Sequence, residues 1–123
     1  MSYDLTIAAD EQFSRSVPLE PLRAYIGQLP GIQPNGEQHF SLSEGSRLWM
    51  EIDLESVTED GDARDDGNTA VNCIRLHVPY GLLGDNPECD YFPTAAAIAR
   101  HLGWRAMDDQ TGEPIPMLVL KQA

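Results

Sequence analysis

Eight consecutive residues decide the fold: Leu48-Trp49-Met50-Glu51-Ile52-Asp53-Leu54-Glu55, in which apolar and polar side chains alternate. Successive side chains of a β-strand point to opposite sides of a sheet, whereas the period of a helix would scatter the acids around its circumference. The stretch therefore predicts a strand with one buried face and one face in water. The buried set is Leu48, Met50, Ile52 and Leu54. The outward set is Trp49, Glu51, Asp53 and Glu55.

The same alternation predicts further strands on either side of this one. Residues 3–7 alternate around Leu5, and residues 74–78 place Ile74, Leu76 and Val78 toward the core. Residues 40–42 form the other arm of a hairpin, because the turn-forming residues 43–46 separate them from Leu48. Shorter strands are predicted at 105–108 and 117–120.

Two segments instead follow the period of an amphipathic helix. In the first segment, Pro18 and Pro21 suit the N-terminal end of a helix, and Pro30-Gly31 terminates it. Its apolar stripe is Leu22, Tyr25, Ile26 and Leu29. The second is predicted to start at about Thr94 and to end at Gly103, which suits the left-handed position that closes a helix.

These elements predict a single domain, residues 1–123, with the order β-α-β-β-β-α-β-β. A mostly antiparallel sheet of five to six strands with two helices on one face buries every apolar stripe most simply. The predicted fold class is therefore α+β.

Composition restricts the partners that the protein can have. Eight Lys and Arg residues against twenty Asp and Glu give a net charge of -12. Binding to nucleic acid or to anionic lipid needs clustered cations, so neither is expected. No apolar run reaches the length of a membrane span, and residues 1–4 lack the features of a signal peptide, so a cytoplasmic location is expected. The oligomeric state stays open.

The acids concentrate between Glu51 and Asp66, where eight acids accompany a single base. Such a segment is either a solvated surface or a negative surface that attracts a basic protein. A calcium loop within 58–69 is a further alternative, although Arg64 and Cys73 stand where the EF-hand template needs oxygen ligands. Trp49 is either an anchor for a partner or is covered by the loop at 80–93. The predicted partner-binding residues are Trp49, Glu51, Asp53, Glu55, Asp60, Asp62, Asp65 and Asp66.

Catalytic, metal and cofactor motifs are not recognised. The two cysteines and three histidines contain no pair at the spacing of a zinc site, and no phosphate-binding glycine motif occurs. No catalytic residue, metal or cofactor is therefore predicted. The alternative hypothesis is a small-ligand-binding protein or enzyme with a pocket under loop 80–93. Its candidate residues are His77, Cys89, Asp90 and His101.

Residues 97–104, together with Asp108 and Thr111-Gly112, resemble a stretch in small acidic bacterial proteins that are themselves uncharacterised. Some of those proteins are thought to be immunity partners of toxins. The resemblance covers about residues 97–112 and includes no catalytic motif. The resemblance implies an immunity-type role. Together with the chain's size, its acidic charge and the absence of a catalytic motif, the sequence predicts a non-enzymatic protein that binds a basic partner.

Overall fold

The computed structural model of the protein describes residues 2–10, 12–29, 31–34, 36, 38–44, 48–58, 70–79 and 92–115. Its strands are β1 (Ser2–Ala8), β2 (Val17–Pro18), β3 (Ile32–Pro34), β4 (His39–Glu44), β5 (Leu48–Glu55), β6 (Ala70–Val71), β7 (Cys73–Pro79), β8 (Arg105–Asp108) and β9 (Glu113–Pro114). Its helices are α1 (Leu19–Ile26) and α2 (Phe92–Leu102).

Seven strands form one sheet in the order β3-β4-β5-β7-β1-β8-β9, and each neighbouring pair is antiparallel. The α+β class with a mostly antiparallel sheet is therefore confirmed. The sheet has more strands than the five to six expected, because β3 and β9 are short segments without a clear alternation. A separate pair, β2 with β6, was also not predicted.

Strand β5 has the bounds that the alternation predicts. Its apolar residues Met50, Ile52 and Leu54 are at most 2% exposed. The strand register sets Ile52 opposite Leu76 of β7, and Leu76 opposite Leu5 of β1. One face of the sheet thus forms a continuous apolar floor, which we call the apolar face.

Both helices contribute to the core that lies on this apolar face. Leu22 and Ile26 of α1 and Ile98 of α2 belong to the same buried cluster as Leu5 and Leu76. Helix α1 ends at Ile26, three residues earlier than the apolar stripe predicts. The next turn tightens, because the N–H of Leu29 donates to the carbonyl of Ile26 rather than to that of Tyr25.

Helix α2 begins at Phe92, two residues before the predicted start at Thr94. Pro93 then lies in the first turn, where a missing N–H breaks no helical hydrogen bond. At the other end Gly103 has a φ of 70°, and the N–H of Trp104 donates to the carbonyl of Ala99 at 2.9 Å. This confirms the predicted glycine-terminated end, in which Trp104 folds back and is buried.

Each edge of the seven-stranded sheet carries a proline, Pro34 in β3 and Pro114 in β9. A proline has no N–H to donate, so it opposes the addition of another strand at either edge. The strand predicted at 117–120 lies outside the described residues. Neither described helix is long and apolar enough to cross a membrane.

Candidate interaction surface

The sheet surface opposite the helices, which we call the polar face, carries charged side chains in register. One row across the strands is Asp4, His77, Glu51 and Ser41. The next row is Thr6, Arg75, Asp53 and His39. Glu55, at the end of β5, lies opposite Cys73, at the start of β7. The alternation in β5 therefore places Glu51, Asp53 and Glu55 on one surface, as the sequence predicts.

Three of the acids on the polar face contact a side chain of a neighbouring strand. Nδ1 of His77 lies 2.9 Å from Asp4, and Nδ1 of His39 lies 2.6 Å from Asp53. The Nε of Arg75 donates to Glu55 at 3.2 Å. The side chains of these three acids are only 28% to 39% exposed. The acids are therefore less open to water, and more fully hydrogen-bonded, than the sequence alone suggests.

Glu51 is different, because its carboxylate makes no hydrogen bond or ion pair with any described residue. It lies on β5, an interior strand of the sheet, and lines a depression of ≈ 360 Å³ together with His39, Phe40 and Asp53. An acid without an internal partner can pair with an external cation at no cost to a bond within the protein. Glu51 is thus the carboxylate of the polar face most available to a basic ligand.

Part of the predicted partner-binding surface lies outside the described residues. These are Asp60, Asp62, Asp65 and Asp66, together with the side chain of Trp49. The loop and the calcium site considered at 58–69 fall in the same segment, apart from Thr58. They stay predictions from the sequence.

The structure does not bring together the two histidines of the alternative pocket. His77 is on the polar face beside Asp4. His101 belongs to α2, on the other side of the sheet, and its ring stacks on Tyr25 at 3.7 Å between centroids and 5° between planes. The remaining candidates, Cys89 and Asp90, lie outside the described residues.

Cys73 is a free, fully buried cysteine at the start of β7. Burial raises the pKa of its thiol to about 11, against the opposing influence of Arg75. The thiolate is the reactive form of cysteine, so Cys73 is unsuited to act as a nucleophile near neutral pH.

A groove of ≈ 440 Å³ at one side of the polar face was not predicted from the sequence. Its floor comes from the strands and consists of Thr6, Ala8, Arg75 and Met107. One wall is the loop after β1, with Asp10 and Phe13. The other wall is the last residue of β8, Asp108, and the turn that follows it, with Asp109 and Gly112. The two walls are distant in sequence, and only the pairing of β1 with β8 makes them neighbours.

Asp10 shapes the first wall of the groove. Its Oδ1 accepts from the N–H groups of Gln12 and Ser14, each at 3.0 Å, and its Oδ2 accepts from the hydroxyl of Ser14. These bonds, led by that of the Ser14 hydroxyl, lower the pKa of Asp10. Within this turn Phe13 has a φ of 55°, a left-handed conformation that is uncommon for a bulky residue. The spacing Asp10-x-x-x-Ser14 is the only sequence signal of this turn.

Asp109 forms the second wall, and its Oδ2 accepts from the hydroxyl of Thr6 at 2.7 Å. The residue is exposed overall, but its carboxyl group is partly desolvated, and this raises its pKa. The negative charge of Asp4 acts in the same direction, while the Thr6 hydrogen bond opposes it. The second oxygen, Oδ1, has no hydrogen-bond partner among the described residues. It is therefore free to accept from a ligand in the groove.

No group of three or more His, Cys, Asp or Glu residues within the described ranges could hold a metal ion. Comparison with known proteins gives no match, either to a protein-family model, to a curated protein or to a solved structure. The arrangement of the polar face and its groove is therefore the basis for any functional conclusion.

Proposed function

We infer that this protein is a non-enzymatic interaction protein that binds a basic protein through its polar face. The observation that carries the proposal is Glu51, a carboxylate without a partner among the described residues, on an interior strand of a sheet face whose other acids are partly exposed. Both described helices pack on the apolar face, so neither of them covers Glu51.

Charge supports a basic partner rather than an acidic one. Across the rows of the polar face, Asp4, Glu51, Asp53 and Glu55 outnumber the single arginine, Arg75. The whole chain carries a net charge of -12, which repels anions and attracts cations over distances near the Debye length. Such a field raises the rate of association with a basic protein and opposes acidic competitors.

The resemblance at residues 97–112 favours a toxin as the partner, which would make this an immunity-type protein. A cytoplasmic location and a contribution from Trp49 and segment 58–69 are parts of the same proposal that rest on the sequence.

A charge-reversal experiment tests the proposal. Proteins retained by the wild type at low ionic strength are identified and purified. Each is then titrated calorimetrically against the wild type and against Glu51→Lys. We expect the purified partner to be basic, and Glu51→Lys to weaken its binding on the order of tenfold. Added salt should weaken the wild-type complex as well.

The matched control is Glu20→Lys, which makes the same change in net charge on α1. The Glu20 side chain is 80% exposed and lies on the helical side of the sheet. Its reversal should leave the affinity nearly unchanged. Equal weakening by Glu51→Lys and Glu20→Lys would show that affinity depends on net charge and not on the polar face, which contradicts the proposal. A complex whose affinity changes neither with Glu51→Lys nor with salt would also refute it.

A further inference from the structure

The groove beside the polar face has features that the proposed function does not yet use. It is ≈ 440 Å³ in volume, within the usual range of ligand sites. Its two walls each present an acid, Asp10 from one and Asp109 from the other, above a floor that includes Met107. Phe13 adds an aromatic surface, held in place by a left-handed backbone that strained functional segments often show.

The charge of the groove favours a cationic occupant. Three carboxylates line it, Asp10, Asp108 and Asp109, against the single guanidinium of Arg75. The charge of Arg75 is matched by Glu55, whose oxygen accepts from its Nε at 3.2 Å. An anionic ligand would therefore meet uncompensated negative charge, while a cation would meet complementary charge.

The carboxylates differ in what they can offer to such a cation. Both oxygens of Asp10 accept hydrogen bonds from Gln12 or Ser14, and both oxygens of Asp108 accept from Tyr3 or Gln110. Asp109 alone among these three has a carboxylate oxygen, Oδ1, without a partner in the described structure. Partial desolvation disfavours its charged form and raises its pKa, and the attraction of a nearby cation offsets that cost.

We propose that this groove receives an arginine side chain of the basic partner, with its guanidinium hydrogen-bonded to Asp109 and its methylene stem along Phe13 and Met107. Arginine fits better than lysine, because its guanidinium is more weakly hydrated than an ammonium and spreads several N–H donors over a plane, one of which can reach Oδ1 of Asp109. A bare metal ion fits less well, since the described part of the chain holds no cluster suited to one. The inference rests on the proposed function and specifies one contact of that interface.

The test uses Nα-acetyl-arginine amide as the probe, followed by two-dimensional amide NMR of the full chain. We expect saturable shifts at Thr6, Asp109 and Gly112. Nα-acetyl-citrulline amide is the matched neutral probe, because it keeps the shape of arginine without its charge. It should shift these amides far less at the same concentrations.

Two variants locate the contact. Asp109→Asn keeps an oxygen that can accept from Thr6 but removes the charge, and we expect it to weaken binding of the arginine probe about two- to fivefold. The variant should fold normally, because it replaces a carboxylate that the fold desolvates. Glu20→Gln removes the same charge from α1 and should leave the affinity unchanged.

Several results would overturn the inference. These are equal shifts with the citrulline probe, arginine-induced shifts confined to Glu51 and Asp53, or an affinity insensitive to Asp109→Asn in a folded variant. If the arginine probe does not bind but the complex with the basic protein still depends on Glu51 and on salt, only the arginine contact in the groove is refuted. If the probe binds but the complex is insensitive to Glu51→Lys and to salt, only the proposed function is refuted.

Discussion

Replacing Asn72 with alanine removes a buried amide that joins three separate parts of the chain. The Oδ1 of Asn72 accepts from the N–H of Val57 at 2.8 Å. Its Nδ2 donates to the carbonyls of Val57 at 2.8 Å and Phe13 at 3.2 Å. The residue is 4% exposed and Val57 is fully buried, so water does not readily replace these bonds.

The size of the effect follows from these three hydrogen bonds. Each contributes about 1 kcal/mol net, so Asn72→Ala, which removes all three, should destabilise the protein by about 3 kcal/mol. That is a large share of the roughly 5–15 kcal/mol that stabilises a typical domain. For a chain of 123 residues it lowers the melting temperature by about 12 °C.

Urea unfolding followed by circular dichroism measures this difference. The midpoint should fall by about 1.5 M at a slope near 2 kcal/mol/M. Gln33→Ala is the control, because it removes a side-chain amide from an exposed position of β3 and should cost less than about 0.5 kcal/mol. A loss below about 1 kcal/mol for Asn72→Ala would refute the view that this amide holds the loop at Phe13.

The variant Asn72→Asp adds a pH dependence to the same test. Its carboxylate would face two carbonyl oxygens, so the folded state favours the protonated acid and raises the pKa of the introduced carboxyl. When the pKa of this carboxyl is higher in the folded state than in the unfolded state, where it is near 3.9, protonation stabilises the folded protein. That stability is fully present below about pH 3.9 and is lost as the pH rises through the pKa of the folded state. The variant should therefore lie closer to the wild type at about pH 4.5 than at about pH 7, and the opposite order would contradict the geometry.

Two further predictions concern titrating groups. Because burial raises the pKa of Cys73 to about 11, iodoacetamide should modify it in the native protein only as fast as the protein opens. A native-state rate, measured by peptide mass spectrometry, that approaches the rate of the urea-unfolded protein at the same pH would contradict this. The hydrogen bonds from Ser14 lower the pKa of Asp10. They therefore stabilise the folded protein at pH values above 3.8, the ordinary pKa of aspartate, and this stability is lost as the pH falls through the lowered pKa. Ser14→Ala should return the pKa of Asp10 toward its ordinary value in a carboxyl NMR titration, and an unchanged pKa would show that Ser14 does not cause the shift.

The strand at 48–55 shows how far a local pattern determines structure here. Its alternation predicts the bounds of β5 and the burial of Met50, Ile52 and Leu54, because burial of one strand face depends on a two-residue period. The end of α2 at Gly103 is predicted for a similar reason, since the left-handed position depends mainly on the residue that occupies it.

Other elements have no such local signal. Strands β2 and β6 are two residues each and exist because Val17 pairs with Val71, far along the chain. Strand β9 is also two residues long and is defined by its pairing with β8. Helix α1 ends before the last residue of its apolar stripe, Leu29. The stripe shows only that the Leu29 side chain faces the core, whereas the helix end depends on backbone hydrogen bonds.

The alternation of neighbouring side chains is enough to predict the fold class, strand β5 and the surface on which Glu51, Asp53 and Glu55 lie. The partners of the acids come from other parts of the chain, since His39 reaches Asp53, Arg75 reaches Glu55 and His77 reaches Asp4 across strands. The groove likewise exists only after folding, because its walls at Asp10 and Asp109 meet through the pairing of β1 with β8. Electrostatic and steric contacts of this kind depend on distance in space, which the order of residues along a chain does not contain.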